Sequence, residues 1–590
     1  MKGIDWAIVG LYMIATLGLG VYLARRAAGS MVDFFVGGRT LPWWLAGTSM
    51  AATTFSVDTP LYVAGVVGTR GVAGNWEWWS YALAHVILIY IFARLWRRAE
   101  IVTDNELTEM RYGGPPAAAL RATKGFLFAV VIGSIGIGYA MLAMVKVVDA
   151  LGVFSSFGLH LGASGKLWSV VAVSALVLVY SSVAGLWGVA ATDFFQFFLG
   201  LLGAILVAVF AVADVGGLHA MVHRAQALTR FDVLSFTPLT FGHGSLVGWS
   251  KTAGISALTF FSYVAILWWA FRRSDGGGEF IQRLSAVKTE RDAEKAAWFF
   301  NIMHYVVRTW PWVLVAIVAL VIYPNLTDRE LGYPKLMLDF LPTGLLGLVV
   351  ASLFAAFMST VSTLINWSAS YLTNDIYARF LRPRAGDREL VAAARVASVI
   401  VTVIGATAAF FAHNVTTVYR LILAVGTGPG LVLILRWYWW RINAWAELTA
   451  MVAGFLLGAF FMWRIADFGM VLTLTAVVSL AVWVPVMLLT RPETEDKLEA
   501  FYRRVRPGGP GWRRQRQRTG LAPAQDLRRD IARVAAGLMV LFGAMFAIGG
   551  LLLLRYTTMF VMAGVGVIGY LLLRLLGRPR GLEAVPGPGQ

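Results

Sequence analysis

Residues 48–60 read TSMAATTFSVDTP, and they interrupt an apolar run that extends from near residue 41 to near residue 67. A helix crossing a bilayer here would carry Asp58 and Pro60 at mid-membrane, where a charge is costly and proline removes a backbone hydrogen bond. Backbone freed by such a break survives at membrane depth only if it lines a cavity or binds an ion. The run near 252–271 is rich in Gly, Ser, Thr and Trp and is expected to break in the same manner. The two interrupted runs stand five spans apart. That spacing is what an inverted five-plus-five helix repeat produces, with spans two to six and seven to eleven as its halves.

Outward from this stretch the chain alternates apolar runs with short polar loops. A run of at least about 18 residues with few charges spans a hydrocarbon core about 30 Å thick, and roughly fifteen runs meet that rule. They lie near 4–25, 41–67, 76–96, 124–151, 167–184, 187–213, 252–271, 296–323, 342–370, 389–412, 415–436, 444–464, 468–490, 532–554 and 556–575. The expected fold class is an all-α polytopic membrane protein with extra helices at both ends of the repeat. In the first run Arg25 and Arg26 follow the apolar stretch instead of preceding it, which favours a retained helix over a signal peptide.

Composition agrees with this class. Of 590 residues 58% are hydrophobic and 14% charged, too few charges to cover a water-facing surface. The absence of cysteine excludes disulfides, thiolate metal sites and cysteine nucleophiles. The net charge of +18 does not point to nucleic acid, because the Lys and Arg sit in short loops between apolar runs. Membrane lipid is the expected surrounding partner.

With the N-terminus external, Arg25, Arg26, Arg39, Arg94, Arg97, Arg98, Arg272, Arg273, Arg283, Arg382, Arg384, Arg441 and the stretch 491–529 fall in inside loops. About 35 of the basic residues then lie inside and about 10 outside, as the positive-inside rule requires. This predicts a multi-pass inner-membrane protein with a cytoplasmic C-terminus. Trp43, Trp44, Trp76, Trp78, Trp79, Trp437, Trp439 and Trp440 crowd span ends as an interfacial belt would. The expected organisation is an extra helix and loop (1–40), a first half-repeat (41–213), an external loop (214–251) and a second half-repeat (252–436). Two further helices (437–490), a basic cytoplasmic linker (491–530) and a terminal hairpin with its tail (531–590) follow. The linker, with Arg503, Arg504, Arg506, Arg513, Arg514, Arg516 and Arg518 among Pro and Gly, reads as disordered, with lipid binding as the alternative. The hairpin reads as peripheral.

Span nine clusters hydroxyls. Ala356, Ser359 and Thr360 stand at i, i+3 and i+4, and Ser362 and Thr363 extend that face by a turn. Neutral oxygens suit a hard cation that must also be released, although Ser and Thr also glue membrane helices together. Both readings stand on spacing alone.

The stretches DFFVGGRTLPWWLAGTSMAATTFS (33–56), GLWGVAATDFFQ (185–196), EFIQRLSAVKTERDAEKA (279–296) and AAFMSTVSTLINWSASYLTNDIY (355–377) resemble the signatures of the solute:sodium symporter family. The resemblance covers spans one to thirteen and implies a sodium-coupled symporter that imports a small polar solute by alternating access. It implies a primary sodium (Na+) site at the carbonyls of Ala52, Phe55 and Ala356 and the hydroxyls of Ser359 and Thr360. It implies a second sodium site at Asp193, Ser359, Ser362 and Thr363, hence two sodium ions per solute. Thr54 departs from the acidic or amide residue of relatives, and RRSDGGGEF (272–280) is longer and richer in Gly than the family pattern.

For the solute the expected contacts are Asp58 and Thr59 from span two, Glu77 at the start of span three, Trp268 and Trp269 from span seven, and Arg308 in span eight. Carboxylates accept from hydroxyls, guanidinium donates to them, and Trp covers the apolar face of a ring, a combination that favours a monosaccharide or polyol. An amino acid is the runner-up. Arg308 alternatively pairs with one of the acids to cancel buried charge. No enzyme is expected, since G-x-S-x-G, the phosphate-binding G-x-x-x-x-G-K-[ST] and H-E-x-x-H are all absent. His219 and His223 have metal-like spacing without a third ligand, and a chance spacing is the preferred reading. A channel or a non-transporting sensor are weaker alternatives, and the sequence leaves the oligomeric state open.

Overall fold

A computed structural model describes the chain except for residues 25–36, 102, 157, 161, 182–185, 229–231, 243–244, 251–253, 271–273 and 578–590. Arg25, Arg26, Arg272, Arg273 and the start of the first signature, 33–36, lie outside the described residues. Among the described residues eleven helices are long and apolar enough to cross a membrane. The expectation of about fifteen is not met by that criterion, for a physical reason. Three of the remaining apolar runs form the shorter helical stretches Gly3–Leu19, Gly165–Leu178 and Ala257–Leu267, and the run near 41–67 is split in two.

The split falls where the sequence placed it. Helix Trp43–Thr53 ends, residues 54–57 leave the helix, and helix Asp58–Arg70 begins. Pro60 then occupies the first turn of the second piece, where its missing N–H has no partner to lose. Asp58 sits at the same end, where the helix dipole favours a carboxylate. The second interrupted span starts with Ala257–Ser262, whose N-terminus is capped by the Ser256 hydroxyl accepting from the Thr259 N–H. It continues as a π-helical turn, Tyr263–Leu267, and resumes as Gly278–Ala286. Gly276 and Gly277 hold φ of +141° and +81° at this junction, a region L side chains avoid. A Cβ on Gly278 would lie 1.9 Å from the Trp367 ring nitrogen, so glycine is what allows the resumed helix to press against Leu345–Ser370.

Leu345–Ser370 runs on as a π-helical segment, Tyr371–Leu381, and the first piece is buried nearly throughout. It packs against Leu186–Asp214, Ser352 fitting beneath Gly203 in the small-residue manner of membrane helices. The fold is nearly all helical, with one addition to the all-α expectation. The loop 214–251 holds helix Gly217–Ala227 and a two-stranded antiparallel hairpin, Leu239–Gly242 with Ser245–Trp249.

Three other expectations are corrected. Residues 491–530 are not a disordered linker: they form helices Glu495–Val505 and Arg513–Thr519, with Leu498, Phe501, Tyr502, Val505 and Trp512 buried. Trp512 donates its ring N–H to the Trp437 carbonyl at 2.7 Å, and the Arg111 guanidinium lies over the Phe501 and Trp512 rings. The terminal hairpin, Leu527–Leu552 and Tyr556–Leu576, is peripheral only in its second helix. The first helix accepts a bond from Trp310 at the Met545 carbonyl and seats Phe546 among Trp76, Trp79 and Phe236. Finally, Trp76, Trp78, Trp79 and Trp437 are buried, not interfacial. Three of the four use their ring N–H groups inside the protein, Trp76 donating to the Phe236 carbonyl, Trp78 to Asn75 and Trp437 to Asp275.

Candidate functional site

The site is assembled where the first break meets the hydroxyl face of Leu345–Ser370. The Thr360 hydroxyl donates to the Thr53 carbonyl at 2.9 Å, and the Thr363 and Thr53 hydroxyls lie 3.3 Å apart. The Ala52 carbonyl accepts the Phe55 N–H at 2.9 Å, a tight turn that closes the first half-helix. Ala52, Phe55, Ala356, Ser359 and Thr360 are all buried. The structure thus brings the two elements of the expected primary sodium site into direct contact. The Phe55 ring is held edge-on to Phe197 and tilted against Trp312, which walls the break.

Ser359 points elsewhere. Its hydroxyl donates to Asp193 Oδ1 at 2.5 Å, and Ser49 donates to Asp193 Oδ2 at 2.5 Å. Ser362 donates to the Ser359 carbonyl at 3.1 Å, within its own helix. Thr363 accepts from the Arg283 guanidinium at 2.7 Å, and the same guanidinium lies 3.8 Å from Asp193 Oδ2. Three of the four residues expected at the second sodium site, Asp193, Ser359 and Thr363, are therefore brought together, with Ser362 bonded within its own helix, and Arg283 stands among the three with 0% of its side chain exposed. Arg283 does not lie in an inside loop, as its place near a span end suggests, but in the buried helix Gly278–Ala286.

The residues expected to meet a solute separate into four groups. Asp58 is buried and Thr59 half-buried at the start of the second half-helix. Glu77 is fully buried and strongly engaged: Oε1 accepts from Arg420 Nε at 2.8 Å, and Oε2 accepts from Arg420 NH2 at 2.6 Å, Arg70 at 3.0 Å and the Tyr263 hydroxyl at 2.7 Å. Arg308 lies at the first break, donating to the Ala51 carbonyl at 2.8 Å and Thr54 Oγ1 at 2.9 Å, between the Phe55 and Trp312 rings. Trp268 and Trp269 are half-buried just before the second break, and Trp269 donates back to the Ala265 carbonyl at 2.7 Å.

Several members of the site were missed by sequence reading. Arg420 lies inside a membrane span, and an intramembrane cation is by default a functional or paired group, so the rule that drew attention to Asp58 applied equally to it. Tyr263 and Arg70 sit in the two interrupted spans. Thr54 Oγ1 takes the bond from Arg308. Each buried carboxylate faces cations: Glu77 faces Arg70 and Arg420, and Asp193 faces Arg283. A buried ion pair of this kind keeps its place only when its remaining hydrogen bonds are satisfied, which Tyr263, Ser49 and Ser359 supply.

The model of the sodium:solute symporter family matches residues 34–454. A sodium/glucose cotransporter of Vibrio parahaemolyticus is 26% identical over 482 residues, covering 76% of this chain and 83% of the relative. The sodium/mannose cotransporter SLC5A10 of Bos taurus is 24% identical over 491 residues, covering 77% and 78%. A solved structure of a Na+-coupled sialic acid symporter, substrate-bound and outward-open, superposes with a TM-score of 0.63 at 18% identity, over 84% of this chain and 99% of that one. That likeness concerns the fold, the LeuT-like arrangement built on two interrupted helices.

Proposed function

The chain belongs to the sodium:solute symporter family, and on that premise we propose that it imports a monosaccharide or polyol, two sodium ions entering with each solute. The coarser part of this needs no proposal: the protein is a multi-pass membrane transporter coupling a solute to sodium, and not an enzyme. The finer reading rests on one observation above others, the contact of Thr360 with the Thr53 carbonyl at the broken span. It sets the hydroxyls of span nine against carbonyls released by the break. A hard cation is held by such neutral oxygens without being trapped.

In this reading Ala52, Phe55, Ala356, Ser359 and Thr360 hold the primary sodium ion, and Asp193, Ser359, Ser362 and Thr363 the second. Asp58, Thr59, Glu77, Trp268, Trp269 and Arg308 surround the solute, with Tyr263 and Arg420 added to that set. Sodium is the co-transported ion, the solute is the other partner, and the surrounding phase is lipid of the inner membrane. The N-terminus is external and the C-terminus cytoplasmic. Relatives named for glucose, mannose and myo-inositol support a hydroxyl-rich solute. Two sodium ions entering down an inside-negative potential of about 100 mV release about 4.6 kcal/mol of electrical work, to which each tenfold concentration ratio adds about 1.4 per ion.

A second reading, an acidic sugar, is favoured by one feature. Glu77 faces two guanidinium groups, so this cluster carries a net positive charge and does not repel a carboxylate. A panel of sugars, polyols, sugar acids and amino acids, measured for sodium-dependent stabilisation of the purified protein, tests both. Neutral sugars or polyols should raise the melting temperature only with sodium. Stabilisation by sugar acids alone would move the assignment to the second reading, and by amino acids alone would end both.

A further inference from the structure

We propose that Arg283 is a tethered competitor of the second sodium ion: its guanidinium holds the oxygens that sodium needs, and must withdraw before sodium binds at Asp193. The proposal rests on the reading of Asp193, Ser359, Ser362 and Thr363 as a sodium site.

The geometry is specific. Arg283 Nε donates to the Ser49 hydroxyl at 2.9 Å, and Ser49 in turn donates to Asp193 Oδ2. Arg283 NH2 donates to Thr363 Oγ1 at 2.7 Å and lies 3.8 Å from Asp193 Oδ2. NH1 turns back to its own helix, donating to the Glu279 carbonyl at 3.1 Å and towards Gln282 Oε1 at 3.4 Å. Of the four candidate ligands, Thr363 is thus bonded to the guanidinium directly and Asp193 through Ser49. An N–H pointed at an oxygen lone pair occupies the direction a cation would use. Two positive charges cannot share one buried carboxylate without a large repulsion, since charges a few ångströms apart interact strongly away from water.

The three anchors also lie on three different elements. Ser49 belongs to the first half-helix, Asp193 to Leu186–Asp214, and Thr363 to Leu345–Ser370. Arg283 itself is on the helix that resumes after the second break. Its withdrawal would therefore loosen the resumed helix from all three elements in one event, while Ser49 with Asp193 and Thr360 with the Thr53 carbonyl still join the first half-helix to the two long helices. Sodium arriving at Asp193 would compensate the carboxylate that Arg283 leaves, so the exchange conserves charge at the site. Glu279 lies one turn back on the same helix, its carbonyl already accepting from Arg283 NH1.

The test is equilibrium binding of radioactive sodium to the purified full-length protein without solute. Arg283→Gln should tighten the Asp193-dependent sodium component by about tenfold, the effect of removing one close competing charge, and leave the Thr360-dependent component within about twofold. Arg283→Lys, with a cation that reaches fewer of the anchors, should tighten it by about threefold and serves if the glutamine variant does not fold. Asp193→Asn should abolish the component in every background. A native protein with one component and an Arg283→Gln protein with a second, Asp193-dependent one would support the same conclusion. Unchanged or weaker sodium binding in both Arg283 variants, or proton uptake in place of sodium, overturns the proposal while leaving the site intact. If Asp193→Asn removes no component in any background, the sodium site itself is misassigned and the proposal falls with it.

Discussion

Thr360 reaches across from the long helix Leu345–Ser370 and donates to the Thr53 carbonyl at 2.9 Å, joining the hydroxyl face of one span to the break in another. The contact puts a side-chain donor where the assigned ion would sit, so the hydroxyl must turn its lone pair to the ion when sodium binds.

Removal of single ligand oxygens should therefore be read in sodium dependence and not in folding. Ser359→Ala and Thr360→Ala should each raise half-saturating sodium by about tenfold, the equivalent of about 1.4 kcal/mol. Unfolding midpoints should fall only slightly for Thr360→Ala and further for Ser359→Ala, which takes one donor from the buried Asp193 carboxylate. Sodium dependence that is unchanged in both variants would remove these residues from the site.

Asp193 should set the second ion. In the native protein the sodium dependence of uptake should be sigmoidal, with two charges moved per solute, and in Asp193→Asn it should become hyperbolic. Simultaneous current and tracer measurements decide the ratio. A native protein that moves one charge per solute would contradict the assigned stoichiometry.

Glu77 should behave as a member of the solute pocket and of a buried ion cluster together. Glu77→Gln leaves Arg420 and Arg70 facing a neutral amide, and breaking a buried pair from one side costs about 3–5 kcal/mol. We expect a lower unfolding midpoint and solute affinity reduced more than sodium affinity. Arg308→Ala should likewise weaken the solute more than sodium. Equal losses for both ligands would place either residue in the scaffold and not in the pocket.

Topology follows from charge placement. A reporter fused after Arg518 should be cytoplasmic, and one inserted beside Arg224, on helix Gly217–Ala227, should be external. Reversal at either point would overturn the orientation.

The interrupted span was legible because Asp58 and Pro60 have no place in a continuous membrane helix, and the hydroxyl face was legible from the i, i+3, i+4 spacing of Ala356, Ser359 and Thr360. Arg283 was not. A positive-inside count treats every Arg near a span end as a loop charge, while burial between Ser49, Asp193 and Thr363 depends on contacts far apart in the chain. The stretch 491–530 was misread for a related reason. Its many arginines conceal the stripe Leu498, Phe501, Tyr502 and Val505, spaced three or four apart, that buries one face of a helix. Arg420 and Glu77 were each visible as charges in apolar surroundings, but their pairing joins two spans that only the fold brings together.

The most direct test of the account is solute accumulation in proteoliposomes under an imposed inward sodium gradient. The account predicts that a monosaccharide or polyol accumulates inside only while sodium is present, and that Thr360→Ala shifts the sodium requirement upward by about tenfold with accumulation restored at high sodium. Equal uptake under a potassium gradient, or sodium-driven uptake indifferent to Thr360→Ala, would contradict it.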